Sequence, residues 1–241
     1  MSKTIQVWKI LLTVSDTVQQ AYFDCLSKDE RDRANRFHFS HDRRRFIVAR
    51  GTLRHILARK FNQTPEHIAF CYSEYGKPYI DTSPIQAKKP ELAQLQPGAC
   101  DFHFNMSHSG ELALCALGQD CRVGIDIEKL KDIQRLDSMM ERCLTEKERL
   151  DVVASDEPLR AFLQRWTCKE AYLKAIGLGL MQSMQTVEVE VTSPQLLPQL
   201  VKVPETCAAG WNLSVMDVPD DYVGAVVVEG KSAIEVCEWQ H

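Results

Sequence analysis

Two short segments concentrate acidic and basic side chains at spacings that suit a cation and a phosphate. Gly124-Ile125-Asp126-Ile127-Glu128 carries two carboxylates two positions apart, and Trp166-Thr167-Cys168-Lys169-Glu170-Ala171-Tyr172-Leu173-Lys174 follows about forty residues later with a third carboxylate and two lysines. Val123, Ile125 and Ile127 alternate with Gly124, Asp126 and Glu128, the pattern of a half-buried strand with both acids on one face. Adjacent carboxylates repel unless a cation lies between them or one takes up a proton. Oxygen-only donors suit Mg²⁺, which leaves positions for water and substrate phosphate. In the second segment Trp166, Glu170 and Lys174 fall four apart on one helical stripe. Glu170 would complete a three-carboxylate set with Asp126 and Glu128, and Lys174, one turn on, would meet a phosphate oxygen. Taken separately, each segment reads equally well as solvated surface: an acidic strand face, and a Glu-to-Lys pair on an exposed helix.

The elements that must hold these groups are partly marked in the chain. Pro158, after Asp156 and Glu157, starts a helix that Gly177 stops, with Leu159, Phe162, Leu163, Trp166, Leu173 and Ile176 at helical spacing. Gly179 follows closely. A strand is expected over 5–13, one helix over 17–36 and a longer one over 41–61, then strands near 68–73, 102–106 and 112–117. Residues 81–99 are rich in Pro, Gln and Ala and read as a surface loop. Thr145 and Glu148 have capping-box spacing for a short helix. Strands are expected again near 186–192, 199–203, 211–217 and 223–229. Helices and strands mix in both halves, an α+β chain.

Composition narrows the classes. The chain has 241 residues, 44% of them hydrophobic, enough for one large domain or two small ones, and a net charge of −4 that gives no global case for nucleic-acid or membrane-surface binding. Residues 31–60 are locally basic, with Arg31, Arg33, Arg36, Arg43, Arg44, Arg45, Arg50, Arg54, Arg59 and Lys60, which points to an anionic ligand. The nine cysteines show no Cys-x-x-Cys spacing and read as free thiols of a reducing compartment. With neither a signal-peptide pattern nor a membrane-length apolar run, a soluble cytoplasmic protein is expected.

The paired segments closely resemble the signatures of the 4′-phosphopantetheinyl transferases, a Gly-[Ile/Val]-Asp-x-Glu strand followed by Trp-x-x-Lys-Glu-[Ala/Ser]-x-x-Lys, with every position filled. Glu74-Tyr-Gly-Lys-Pro-Tyr-Ile80 and Phe104-Asn-Met-Ser-His-Ser-Gly110 resemble two further family segments, and Arg31 to Arg54 its basic helical region. The resemblance covers roughly residues 28–180, and the length suits the larger surfactin-type members rather than the short, trimeric holo-acyl-carrier-protein synthases. It implies two similar α/β-type halves related by a pseudo-twofold axis, with the active site at their interface. The boundary is drawn at 1–118 for a coenzyme A-binding half and 119–241 for a half with the metal strand and catalytic helix.

The resemblance also implies the reaction: transfer of the 4′-phosphopantetheine arm of coenzyme A to a serine of an acyl or peptidyl carrier protein, in fatty acid, polyketide or nonribosomal peptide synthesis, by a monomer using Mg²⁺, with Mn²⁺ as an alternative. Asp126, Glu128 and Glu170 are then the metal ligands. Glu170 is the first candidate base, directly or through a metal-bound water, the alternative being a water held by the metal and Asp126 or Glu128. Lys174 stabilises the leaving phosphate. Arg45, Lys77, Ser107, His108, Lys169, Lys174 and Arg33 are assigned to coenzyme A; Glu30 stands where some relatives carry a lysine. Trp166 is read as packing, and Met139, Met140, Cys143 and Leu144, within 130–150, as apolar candidates for the acceptor groove. Three rivals remain in view: a Mg²⁺-dependent phosphatase or nuclease on the same carboxylates, a nucleic-acid-binding module built on the arginine-rich stretch, and a catalytically silent scaffold.

Overall fold

The computed structural model describes residues 3–80, 102–178, 183–191, 197–204 and 207–241; the expected loop over 81–99 and Gly179 lie outside them. β1 (Lys3–Leu11) leads to α1 (Asp16–Asp24), α2 (Lys28–Asn35) and α3 (Ser40–Phe61), then to the short hairpin β2 (Phe70–Tyr72) and β3 (Pro78–Ile80) and the long hairpin β4 (Phe102–Ser109) and β5 (Leu112–Gln119). β6 (Val123–Lys129) follows, then α4 (Leu136–Cys143), α5 (Glu146–Val153) and α6 (Pro158–Ile176). The chain ends with β7 (Glu188–Glu190), β8 (Gln199–Lys202), β9 (Trp211–Val215), β10 (Tyr222–Glu229) and β11 (Ser232–Glu238).

Two sheets form the body. One has the order β11-β1-β5-β4 and the other β6-β10-β9. α3 covers the first sheet, with Ile47, Leu53, Ile56 and Leu57 against Ile10, Phe104 and Cys115. α6 covers the second, with Ala171, Tyr172 and Ala175 against Ala225 and Val227. The remaining faces of the two sheets meet, Ile5, Val7, Leu114 and Ala116 packing with Val123, Ile125, Ile127 and Val226. The layering is helix, sheet, sheet, helix. This corrects the half-buried reading of β6: residues 123–127 are all buried, because one face meets the other sheet and the Gly124 and Asp126 face meets α6.

Four elements depart from the sequence expectation. The helix expected over 17–36 breaks at 25–27, where the Glu30 carboxylate accepts the Ser27 amide at 2.9 Å and a capping box starts α2 afresh. α4 and β3 were not expected. Nor was β11, which pairs in parallel with β1, Ile5 opposite Ile234. Trp239 follows it into the N-terminal core and donates to the Tyr22 hydroxyl at 2.9 Å. The C-terminal strand therefore crosses the boundary drawn at 118/119.

Much of the basic stretch is internal structure. Glu30, 3% exposed, takes the guanidinium of Arg50 and, at 2.7 Å, that of the equally buried Arg54, which also donates to the carbonyls of Pro65 and Ile68. Arg44 pairs with Asp16, Arg43 lies over Phe23 and Arg59 over Trp239. Glu30→Ala would leave Arg54 buried without its partner and should destabilise the fold by about 3–5 kcal/mol in urea unfolding. Burial of Glu30 raises its pKa, but the hydrogen bond and charges of Arg54 and Arg50 outweigh this and hold it below the usual value. Its contribution is therefore present above the ordinary carboxylate pKa and lost as pH falls through the lower folded value. The wild-type-to-variant difference in unfolding free energy should shrink in that acid window.

Candidate functional site

Close contact between β6 and α6 builds the site. A Cβ added at Gly124 would lie 2.0 Å from the Ala171 carbonyl oxygen and 2.4 Å from the Ala175 amide nitrogen. Only glycine lets the helix lie this flat on the strand, and Ala171 and Ala175 are the small residues that answer it. Glu170 and Lys174, one turn apart on α6, lie near the β6 acids: Glu170 feels the charges of Asp126 and Glu128. Lys174 Nζ donates to Asp126 Oδ1 at 2.6 Å.

β4 supplies the third wall. Asn105, Ser107 and Ser109 alternate along it and bridge to β6, which belongs to the other sheet. Asn105 Oδ1 accepts the Ile125 amide at 2.9 Å and Ser109 Oγ accepts the Lys129 amide at 3.1 Å. Ser107 Oγ donates to Asp126 Oδ1 at 2.7 Å and Ser109 Oγ to Glu128 Oε2 at 2.8 Å. Each strand carboxylate is thus fixed through one oxygen by a serine. Asn105, Ser109 and Gly124 were missed as site residues. The Asn-x-Ser-x-Ser alternation at 105–109 was the available signal.

Charge is unevenly compensated. Asp126 Oδ2 and Glu170 Oε1 are buried without a protein hydrogen-bond partner. Burial raises the Glu128 pKa, and the neighbouring Asp126 raises it further. Burial also raises that of Glu170; Lys174 pulls it back, while Asp126 and Glu128 push it up. Asp126, Glu128 and Glu170 therefore feel one another, with Lys174 as a shared counter-charge. An all-oxygen donor set with two partnerless buried oxygens fits a hard divalent cation. Among the described residues no three acidic, His or Cys side chains are already drawn together tightly enough to hold a metal. The Lys174 ammonium lies on Asp126 instead.

The expected coenzyme A contacts separate into groups. Ser107 lies in the site, and Lys174 Nζ is 3.1 Å from its hydroxyl. His108 lies near Lys174 and Arg45, and partial desolvation of the ring, then those two cations, hold its pKa below the usual value. Arg45 is half-buried and engaged by Glu111 on the β4–β5 turn, its Nε donating at 2.9 Å. Lys77 Nζ donates to the Ala175 carbonyl at 2.9 Å. Arg33 is exposed on α2 with its guanidinium 5.1 Å from the Phe46 ring centroid.

Lys169 overturns its assignment. It is fully buried and donates to Glu148 Oε2 at 2.6 Å, to the Cys143 carbonyl at 3.0 Å and to the Met184 carbonyl at 3.2 Å. One residue along a helix is a turn of about 100°, which carries Lys169 away from the Glu170 stripe into the α4–α5 junction. Met140 and Leu144 are core, at 4% and 2% exposure, rather than groove residues; Met139 and Cys143 are partly buried against the same core. Trp166 packs on Phe162 with ring centroids 5.9 Å apart, as expected.

A chain that sets two strand carboxylates against a Glu-x-x-x-Lys helix, with a serine-bearing strand from the other half, has the frame of a phosphoryl-group transferase. Family models match both parts: "4′-phosphopantetheinyl transferase, N-terminal" over residues 14–119 and "4′-phosphopantetheinyl transferase superfamily" over 122–227. The chain is 33% identical over 232 residues to the 4′-phosphopantetheinyl transferase HetI of Nostoc sp., covering 95% of this chain and 90% of that one. It is 29% identical to the 4′-phosphopantetheinyl transferase Sfp of Bacillus subtilis, covering 74% and 72%. The solved holo-[acyl-carrier-protein] synthase of Neisseria meningitidis aligns with 46% of this chain and 98% of its own at 28% identity and a TM-score of 0.38. The chain belongs to the 4′-phosphopantetheinyl transferase superfamily.

Two measurements check the geometry. Gly124→Ala must push α6 off β6, so both the melting temperature and the catalytic rate should fall sharply. Glu170→Gln should instead raise the melting temperature in cation-free buffer. A carboxyl whose folded pKa is raised loses stability as pH rises from its unfolded value through the folded one, so the gain should be largest above that window and vanish below it.

Proposed function

We propose that the protein transfers the 4′-phosphopantetheine arm of coenzyme A to a serine of an apo acyl or peptidyl carrier protein, releasing adenosine 3′,5′-bisphosphate. The observation that carries this reading is the ion pair of Lys174 with Asp126, together with the buried, partnerless Oε1 of Glu170, on the two elements that bear the family's signature. Asp126, Glu128 and Glu170 would hold Mg²⁺, or Mn²⁺ in its place. Bound there, the metal would supply charge neutralisation to the pyrophosphate.

The chain's own groups do the rest. The serine oxygen of the carrier attacks the phosphorus that bears pantetheine, and the bond to the nucleotide phosphate breaks. Glu170, whose burial strengthens its hold on a proton, takes the serine proton through the carboxylate oxygen that does not face the cation, directly or by way of a water. Lys174 donates to the departing phosphate oxygen. Ser107 and the imidazole of His108 face the nucleotide end, and Arg45 supplies a forked donor for the 3′-phosphate once it exchanges Glu111 for the ligand.

The protein acts as a cytoplasmic monomer on carrier proteins rather than on nucleic acid or a membrane. Among the described residues no helix is long and apolar enough to cross a membrane. Four of the arginines that suggested nucleic acid are already paired within the chain, Arg50 and Arg54 with the buried Glu30, Arg44 with Asp16 and Arg45 with Glu111. Arg31, Arg33 and Arg36 remain exposed around α2 and give acidic carriers an electrostatic approach.

Release of adenosine 3′,5′-bisphosphate, followed chromatographically with coenzyme A, Mg²⁺ and an apo carrier, tests the roles. Asp126→Ala should abolish release while the protein stays folded; undiminished turnover would remove Asp126 from the site. Arg45→Ala should raise the coenzyme A KM severalfold, and less for a donor lacking the 3′-phosphate. An equal effect on both donors would refute that contact.

A further inference from the structure

Lys77 is placed unlike a ligand-facing lysine. It sits in the turn between β2 and β3, where its amide donates to Ser73 Oγ at 3.0 Å and its carbonyl accepts the Ser73 amide at 2.9 Å. Its side chain crosses to the end of α6, and Nζ donates to the carbonyl of Ala175, the residue after Lys174. The last carbonyls of a helix have no intrahelical donor. At this end Gly177, in the left-handed region at φ 82°, returns its amide to the Leu173 carbonyl at 3.0 Å. The Ala175 carbonyl is thus one of the groups the helix cannot satisfy itself, and a cation there also faces the negative end of the helix dipole. A Cβ at Gly177 would lie 3.4 Å from Lys77 Cδ, so the stem packs on the cap as well. Burial, then repulsion from Arg122, brings the Lys77 pKa down to about 8.

We infer that Lys77 is a positioning residue for Lys174: it closes the last turn of α6 and so fixes where the Lys174 amine points. A cavity of about 140 Å³ lies between the two lysines, lined also by Tyr75, Gly76, Asn105 and Gly177. Lys77 forms its wall while its amine is turned onto the helix. The final turn is the part of a helix that frays first. Lys174 stands in that turn, and its ammonium must hold one orientation between Asp126 and Ser107. The β2–β3 hairpin and the catalytic helix are thereby coupled through the Lys77 side chain. This rests on the proposed role of Lys174 in the transfer.

The test uses the full chain with Lys77→Met, which keeps the stem and removes the donor, and Lys77→Arg, which restores one. For Lys77→Met we expect kcat to fall about tenfold or more, with the coenzyme A KM within twofold of wild type. Backbone amides of residues 174–177 should exchange hydrogen faster in Lys77→Met than in wild type, and Lys77→Arg should recover part of both losses. A raised KM at unchanged kcat would overturn the inference and return Lys77 to the phosphates. Unchanged exchange at 174–177 would overturn it equally. If the wild-type protein modifies no carrier, the functional reading fails, and the exchange comparison still decides the role of Lys77.

Discussion

The approach of α6 to β6 at Gly124 is the constraint on which the rest of the structure depends. Without a side chain at Gly124, the backbone of the helix touches the strand, and Asp126 comes within 2.6 Å of Lys174. A Cβ at this position would meet the helix backbone at 2.0 Å and force strand and helix apart. The contact also aligns the two halves. β6 is an edge strand of its own sheet, and Asn105 and Ser109 from the edge of the other sheet take up the amides of Ile125 and Lys129. The seam between the sheets is closed by side chains from one strand, and the same strand delivers Ser107 to Asp126.

That arrangement places three carboxylates where a fold alone would not. Glu128 and Glu170 carry raised pKa values, first through burial and then through the charge of Asp126, and two buried carboxylate oxygens lack partners. Such groups destabilise an apo protein, and unsatisfied buried acids persist where chemistry uses them. Contrast the pair of Lys169 and Glu148, equally buried, whose hydrogen bonds are complete: the Glu148 carboxylate also accepts the amides of Thr145 and Val189. One buried cluster is satisfied within the fold and the other is not.

The chemistry was more legible in the chain than the geometry that shapes it. Pro158 and Gly177 bracket α6 from end to end, because each acts through local backbone preferences that neighbours do not override. The alternation around Asp126 correctly put both acids on one face. The opposite burial of β6 was hidden, since a strand pattern does not reveal a second sheet behind it. β11 was missed because it is a largely exposed edge strand whose pairing with β1 spans the chain. Lys169 was misplaced by motif matching without its helical angle. The arginine-rich stretch misled in the same way: a count of charges does not show that Glu30 is buried among them.

The central claim is that this site moves a phosphopantetheine arm onto a carrier serine. Intact mass of an apo acyl or peptidyl carrier protein, recorded after incubation with the protein, coenzyme A and Mg²⁺, tests it most directly. The account predicts a gain of one phosphopantetheine, lost with chelator and lost when the carrier serine is replaced by alanine. Tight coenzyme A binding with no mass gain on either kind of carrier would contradict it.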